Sequence, residues 1–308
     1  MTSSPATLLI VDDEEDIRSL IVDFLRDSQE YTVFEAPDAK TALEFLENQK
    51  VDLVMSDINM PGMKGFDLLR EIRTKYPAIK RVLITAYNVE DYLDLAIKHD
   101  IGNIFVKTTP FNFDELSTIL HNLITNDIFG LDRYFNDTAE RRQFRINSSK
   151  RLDIHAADLV SFIGDVPYAK KLELVIVELL TNAIFYGVLK ESAEHKETWE
   201  HDFTLPDDQA VIVEIAKDAE KFGISINDNG GRLKKNDALY WLHRQIAQNA
   251  DGLPLGLFDT HGRGLFITRK YIDRLIINID HTHRTEVVIL NYFHNNYVGY
   301  KPLYINEL

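Results

Sequence analysis

The most restrictive feature of this chain is a fivefold alternation in its first half. Residues 8–13 form a short apolar run ending in acids, and residues 15–28 place Ile17, Leu20, Ile21, Phe24 and Leu25 on one helical stripe. The pairing then recurs. Residues 31–35, 51–56, 81–85 and 103–106 are β-branched or aromatic runs, each followed by a segment with helical spacing. Five strands alternating with five helices predict a doubly wound α/β domain, a five-stranded parallel sheet covered on both faces. Such sheets take ligands outside the carboxyl ends of their strands. The residues at those ends are Asp12, Asp13, Asp57, Thr85 and Lys107.

That set has a chemical logic. Three carboxylates brought together repel one another unless a hard cation such as Mg²⁺ lies between them. One carboxylate can act as nucleophile toward a phosphoryl group, with a Lys to neutralise phosphoryl oxygens and a Thr hydroxyl to hydrogen-bond one of them. Taken singly, each Asp reads as a strand-end turn residue or a helix N-cap. Their joint occurrence at successive strand ends favours a site.

The segments LLIVDDEEDIR, VDLVMSDINMPGMKGFDLL, VLITAY and NIFVK resemble the receiver domain of two-component response regulators, over residues 7–124. The resemblance implies a flavodoxin-like fold, with Asp57 as phosphoacceptor and Asp12, Asp13 and Asp57 as Mg²⁺ ligands. It also implies Lys107 as the phosphoryl-pairing cation, Thr85 as the switch hydroxyl and a sensor histidine kinase as phosphodonor. Two departures stand out. Ile104 occupies the place of the usual aromatic three residues before the Lys, and Thr108 and Thr109 intervene before Pro110 where Lys-Pro is usual. A Thr–aromatic readout is therefore in question, and the last helix is the expected route for the signal.

With 308 residues, the chain has room for about two domains of ordinary size. The net charge of −15 divides into −10 over residues 1–126 and −5 over 127–308, which argues against direct nucleic-acid binding. The absence of cysteine excludes disulfides, thiolate metal sites and a Cys nucleophile. The apolar stretches are too short to span a bilayer, and the N-terminal run meets acids at once, unlike a signal peptide. A cytoplasmic protein without membrane contact is the expectation.

After the helix at residues 113–124, residues 127–140 fit a second helical segment with Ile128, Leu131, Tyr134 and Phe135 apolar. Those residues pack either against a sister chain, giving a homodimer, or against their own domain. The cluster Arg141, Arg142, Arg145, Lys150 and Arg151 reads as a solvated face, and no helix-turn-helix follows it.

The second half carries a different pattern. In KKLELVIVELLTNAIFYG, Glu178 and Asn182 lie four apart on one face of an otherwise apolar helix. An amide oxygen there can ligate Mg²⁺ and a carboxylate can deprotonate a nucleophile; both can equally be hydrogen-bonded residues at the edge of a core. Two strand-like runs, residues 210–215 and 222–226, lead to Asp228-Asn229-Gly230-Gly231. An Asp there can accept from a base amino group while the glycines allow close approach; a plain Asn-Gly turn is the alternative. His261-Gly262-Arg263-Gly264-Leu265 then opens a helix, and glycines before a helix N-terminus favour phosphate oxygens. A closing strand follows at residues 285–292.

In order, ELLTNA, DNGG, GRGLFI and TEVVIL resemble the ATP-binding domain of the GHKL superfamily, over residues 141–295, and within it the anti-sigma-factor serine kinases. The resemblance implies an α/β two-layer sandwich with a mixed sheet. It implies Glu178 as general base, Asn182 as Mg²⁺ ligand and Asp228 as adenine-amino acceptor. Gly230, Gly262 and Gly264 would lie about the nucleotide, with Thr285 near the base. Arg232 stands where the family's last Gly is expected, Arg284 replaces the Gly before Thr285, and the lid between Arg232 and His261 is long.

The organisation expected is a receiver at 1–124, a helical connector at 125–140 and an ATP-binding domain at 141–308. Phosphorylation of Asp57 would control a serine/threonine kinase acting on an anti-sigma antagonist, or one that sequesters a sigma factor. The alternatives are a phosphorylation-gated ATP-binding module without turnover, and a histidine kinase with a receiver in front. The last would need a phosphorylatable His on a dimerising hairpin, where His121 is followed by Asn122 rather than an acid.

Overall fold

The computed structural model describes residues 5–191, 204–249, 253–256, 262–281 and 283–308. The chain divides into two compact units, one of residues 1–128 with 297–303, the other of 129–296 with 304–308.

The first unit is the predicted alternation: β1 (Ala6–Val11), α1 (Glu15–Asp27), β2 (Tyr31–Ala36), α2 (Ala39–Asn48), β3 (Leu53–Asp57), α3 (Gly65–Lys75), β4 (Lys80–Thr85), α4 (Leu93–His99), β5 (Asn103–Val106) and α5 (Phe113–Thr125). Its strands run parallel in the order β2-β1-β3-β4-β5. β3 and β5 are buried along their whole length, as helices on both faces require. α2 and α5 start where side chains cap them, Asp38 accepting from the Thr41 N–H and Asn112 from the Glu115 N–H. The α1 stripe is narrower than its sequence spacing: Ile21 and Leu25 are buried, but Leu20 is 43% exposed.

The connector is not helical. α5 stops at Asn126, which adopts a left-handed φ of 58°, and Gly130 turns the chain again at φ 88°. Ile128, Leu131, Tyr134 and Phe135 are nevertheless buried within the chain, so they offer no surface to a sister chain. A methyl group at Gly223 would come within 2.7 Å of the Phe135 ring. The helical period of these four residues thus reflects burial by a turning segment.

The second unit comprises β6 (Glu140–Ile146), α6 (Leu152–Ile163), α7 (Ala169–Asn182), β7 (Val211–Lys217), β8 (Lys221–Asp228), α8 (Lys235–Arg244), α9 (Arg263–Tyr271), β9 (Arg274–Asp280), β10 (Arg284–Tyr292) and β11 (Leu303–Glu307). Its sheet is mixed, in the order β11-β9-β10-β8-β7-β6, antiparallel except where β11 lies parallel to β9. α7 packs against α6 and α9, and continues into a π-helical turn over Ala183–Val188. β9 has no period-2 signature, because RLIINID is buried on both faces for six of its seven residues. None of the described helices is long and apolar enough to cross a membrane.

Candidate functional site

At the carboxyl ends of β1, β3 and β5 the Lys107 ammonium joins three carboxylates. Its Nζ lies 2.9 Å from Asp12 Oδ2, 2.8 Å from Asp57 Oδ1 and 3.2 Å from Glu14 Oε1. Asp12 is wholly buried, and burial pushes its carboxyl above the ordinary range although Lys107 pulls the other way. Burial also opposes the Lys107 charge, but hydrogen bonds and charge from Asp57 and Asp12 outweigh it and hold the ammonium well above the usual lysine range. The second Asp57 oxygen accepts from the Asn59 N–H at 2.5 Å. Thr85 is buried at the end of β4; its hydroxyl accepts from the Tyr87 N–H at 3.0 Å and its carbonyl from the Lys107 N–H at 2.8 Å.

Asp13 is exposed and makes none of these contacts. Glu14, which the sequence did not single out, takes the third place on the ammonium. Among the described residues no three His, Asp or Glu side chains converge as a ready metal cage. Lys107 itself bridges Asp12 and Asp57.

The family model described as the response regulator receiver domain matches residues 8–121. The chain is 36% identical over 106 residues to chemotaxis protein CheY of Pseudomonas aeruginosa, covering 34% of this chain and 84% of that protein. The chain belongs to the response regulator receiver family. It is also 37% identical over 124 residues to the sensor kinase CckA of Brucella abortus and 32% identical over 124 residues to the response regulator Rre1 of Synechocystis. Each of these alignments covers 40% of this chain, but the chain spans only 13% and 53% of the two relatives' lengths.

In this receiver Ile104 is fully buried, and an aromatic contact comes from elsewhere. The Tyr92 hydroxyl, in the 3-10 turn Val89–Tyr92, accepts from Asn59 Nδ2 at 2.8 Å, and Asn59 is the residue whose N–H meets Asp57. The only sequence signal for this was an aromatic seven residues beyond Thr85. His121, on α5, is half-buried with its Nε2 out of solvent.

The second unit holds a cavity of about 430 Å³. Glu178, Asn182, Asp228, Gly262, Gly264 and Thr285 all line it. α7 supplies the first two, and α9 begins against them: a methyl group at Gly264 would lie 3.1 Å from Asn182 Nδ2 and 3.2 Å from Glu178 Oε2. Asp228 ends β8 and is paired across the sheet with Thr285 of β10. Burial pushes the Asp228 carboxyl up to about 7, against hydrogen bonds from the Gly230 and Gly231 backbone, the first at 2.9 Å. The Thr285 hydroxyl is buried and has no hydrogen-bond partner among the described residues, so a carboxyl and a hydroxyl stand side by side on the cavity wall.

Two glycines make this wall possible. A methyl group at Gly187, in the π-helical turn, would sit 2.4 Å from Asp228 Cγ, and one at Gly230 would sit 2.0 Å from the Gly187 carbonyl oxygen. Arg232 lines the cavity and donates to the Lys190 carbonyl at 2.7 Å. Arg284 turns away, its guanidinium 3.5 Å over the Phe129 ring. Tyr186 and Trp241 are lining aromatics that the sequence reading missed; they lie on helical turns with no motif of their own. His261 and part of the expected lid lie outside the described residues.

Proposed function

We propose that this chain is a response regulator whose receiver, residues 1–124, controls an ATP-binding output unit at 141–308. A sensor histidine kinase would supply the phosphoryl group. An Asp57 oxygen attacks phosphorus, the donor's bond to phosphorus breaks, and an acyl phosphate forms on Asp57. Lys107 is already within ion-pair distance of Asp57 and neutralises the incoming oxygens. Three carboxylates on one ammonium leave excess negative charge, which fits a hard cation. Asp12, Asp13 and Asp57 would hold Mg²⁺, whose charge would offset that of the phosphoryl oxygens.

The observation that carries the output reading is the gathering of six residues from four separate segments around one cavity. The Asp228 carboxyl and Thr285 hydroxyl suit the amino edge of adenine. Asn182 and Glu178 face the N-terminus of α9, where backbone N–H groups favour phosphates. Asn182 would contribute a Mg²⁺ ligand, and Glu178 would take the proton of an attacking serine or threonine hydroxyl. The acceptor would be an anti-sigma antagonist, with sequestration of a sigma factor as the other output.

Calorimetry with Mg-ATP tests this reading. Wild type should bind and Asn182→Ala should lose binding; equal affinity in both would remove the site. A second reading, binding without turnover, is favoured by Arg232, which stands where the last glycine of the Asp228 motif is expected and donates to the Lys190 carbonyl. Glu178→Gln separates the two. Under the kinase reading it keeps ATP affinity and loses phosphate transfer, whereas under the second reading wild type has no transfer to lose.

A further inference from the structure

Strand β10 presents different chemistry on its two faces. Alternation along the strand sends Thr285 and Val287 to the cavity and Glu286 to the opposite face. Glu286 is 1% exposed. Its oxygens accept from Ser225 Oγ on β8 at 2.6 Å, from Asn278 Nδ2 on β9 at 2.8 Å, and from the Gly130 N–H at 2.9 and 3.1 Å. Asn278 Oδ1 in turn accepts from Asn306 Nδ2 on β11 at 2.8 Å. The polar row Ser225–Glu286–Asn278–Asn306 therefore crosses four adjacent strands, and all four residues are buried.

A carboxylate buried among neutral donors costs more than an apolar side chain of similar size, so its place in a sheet calls for a reason. The ends of the row supply one. Gly130 lies two residues past residue 128, where the chain leaves the first unit, and Asn306 lies three past residue 303, where it leaves that unit again. One passage of the chain into the second unit is thus tied to the Glu286 carboxyl directly, at Gly130, and the other through Asn278, at Asn306. Moving residues 129–135 means breaking the Gly130 hydrogen bond to the Glu286 carboxyl or shifting β10 with them. Moving β11 means breaking the Asn306–Asn278 amide bond or displacing Asn278 from that carboxyl. β10 carries two residues of the cavity wall on either side of Glu286.

We propose that Glu286 is the positioning residue through which the state of the receiver reaches the cavity, by joining residues 129–135 and β11 to the strand that bears Thr285 and Val287. The proposal rests on the reading of that cavity as an ATP site.

Its test uses the full chain, with Mg²⁺ and beryllofluoride as the phosphoryl mimic at Asp57. Mg-ATP affinity is measured with and without beryllofluoride in wild type, Glu286→Gln and Asn306→Ala. In wild type the affinity should shift about fivefold or more, the scale of a working allosteric coupling. Glu286→Gln should bind ATP within about twofold of unliganded wild type and lose that shift, and Asn306→Ala should reduce it. A full wild-type shift retained in Glu286→Gln overturns the proposal, as does wild-type binding indifferent to beryllofluoride.

If wild type binds no ATP, the nucleotide reading fails by itself, and hydrogen exchange in the same proteins decides the node. Beryllofluoride should then alter protection at residues 129–135 and 304–308 in wild type but not in Glu286→Gln; equal responses, or none, overturn it. Should Glu286→Gln lose its circular dichroism signal, Ser225→Ala and Asn306→Ala take its place, with a diminished shift as the supporting outcome and an undiminished one as the refuting outcome.

Discussion

In the receiver, Asp12 and Asp57 share an ammonium at 2.9 and 2.8 Å, whereas Asp228 in the second unit is held by backbone N–H groups and by the close wall of Gly187. Both sites withdraw carboxyl groups from water, and they balance the cost by different means. One ammonium lets the receiver site gather three carboxylates, and the negative charge left over suits a hard cation. Burial without a cation instead pushes the Asp228 carboxyl up to about 7. A neutral carboxyl both donates through its O–H and accepts through its carbonyl oxygen, which suits a ligand edge with a donor beside an acceptor. A buried carboxylate is therefore not one kind of functional signal; its partner decides what it can receive.

The largest effect that would break this comparison is at Asp57. Asp57→Ala should abolish labelling by acetyl phosphate, read as the loss of the phosphorylated mass, and stoichiometric labelling in the variant would end the phosphoacceptor assignment. Next comes the counter-ion. Lys107→Ala leaves buried carboxylates unpaired, and removing one partner of a buried pair typically costs about 3–5 kcal/mol. Urea unfolding at pH 7 should show that loss, and it should shrink in acid as Asp12 takes up a proton. A penalty independent of pH would mean that lost packing, not charge, is responsible.

Asp228 gives the sharpest contrast. Its folded pKa is raised from 3.8 to about 7, so the folded chain binds the proton more tightly than the unfolded chain. Its contribution to stability is complete below about pH 4 and is lost as pH rises to about 7. Asp228→Asn carries no such dependence. The variant should gain on wild type across that window by at most about 4 kcal/mol, and parallel stability curves would show that Asp228 ionises normally. The smallest effect is steric. Gly230→Ala forces a methyl group onto the Gly187 carbonyl, and overpacking of this kind costs about 1–3 kcal/mol. It should also weaken Mg-ATP binding, while acetyl phosphate labelling at Asp57 stays unchanged.

Much of the first unit was legible because its signals are local. Buried strands made of apolar runs, helices with apolar stripes and capping side chains such as Asp38 and Asn112 act over a few residues, and the parallel order follows from their alternation. The strand-end positions of Asp12, Asp57, Thr85 and Lys107 were legible for the same reason, since strand ends can be counted along the chain. Leu20 was misjudged because periodicity defines a stripe but not the width of the surface that covers it. The connector was misjudged because a helical spacing of apolar residues is also met by a chain that turns at Asn126 and Gly130 while burying the same side chains.

Residue order alone carries the element types of the receiver, the identity of its charged residues and a Glu/Asn pair on one helical face. The folded chain selects which charges meet. It put Glu14 rather than Asp13 on Lys107, brought Tyr92 to Asn59, and set Thr285 beside Asp228. It also drew Gly130 and Asn306 to the row around Glu286, from positions more than a hundred residues apart in the chain. The physical reason is that hydrogen bonds and ion pairs depend on distance in space. Their partners here are set by strand register and loop closure, and neither leaves a periodic trace in the order of residues.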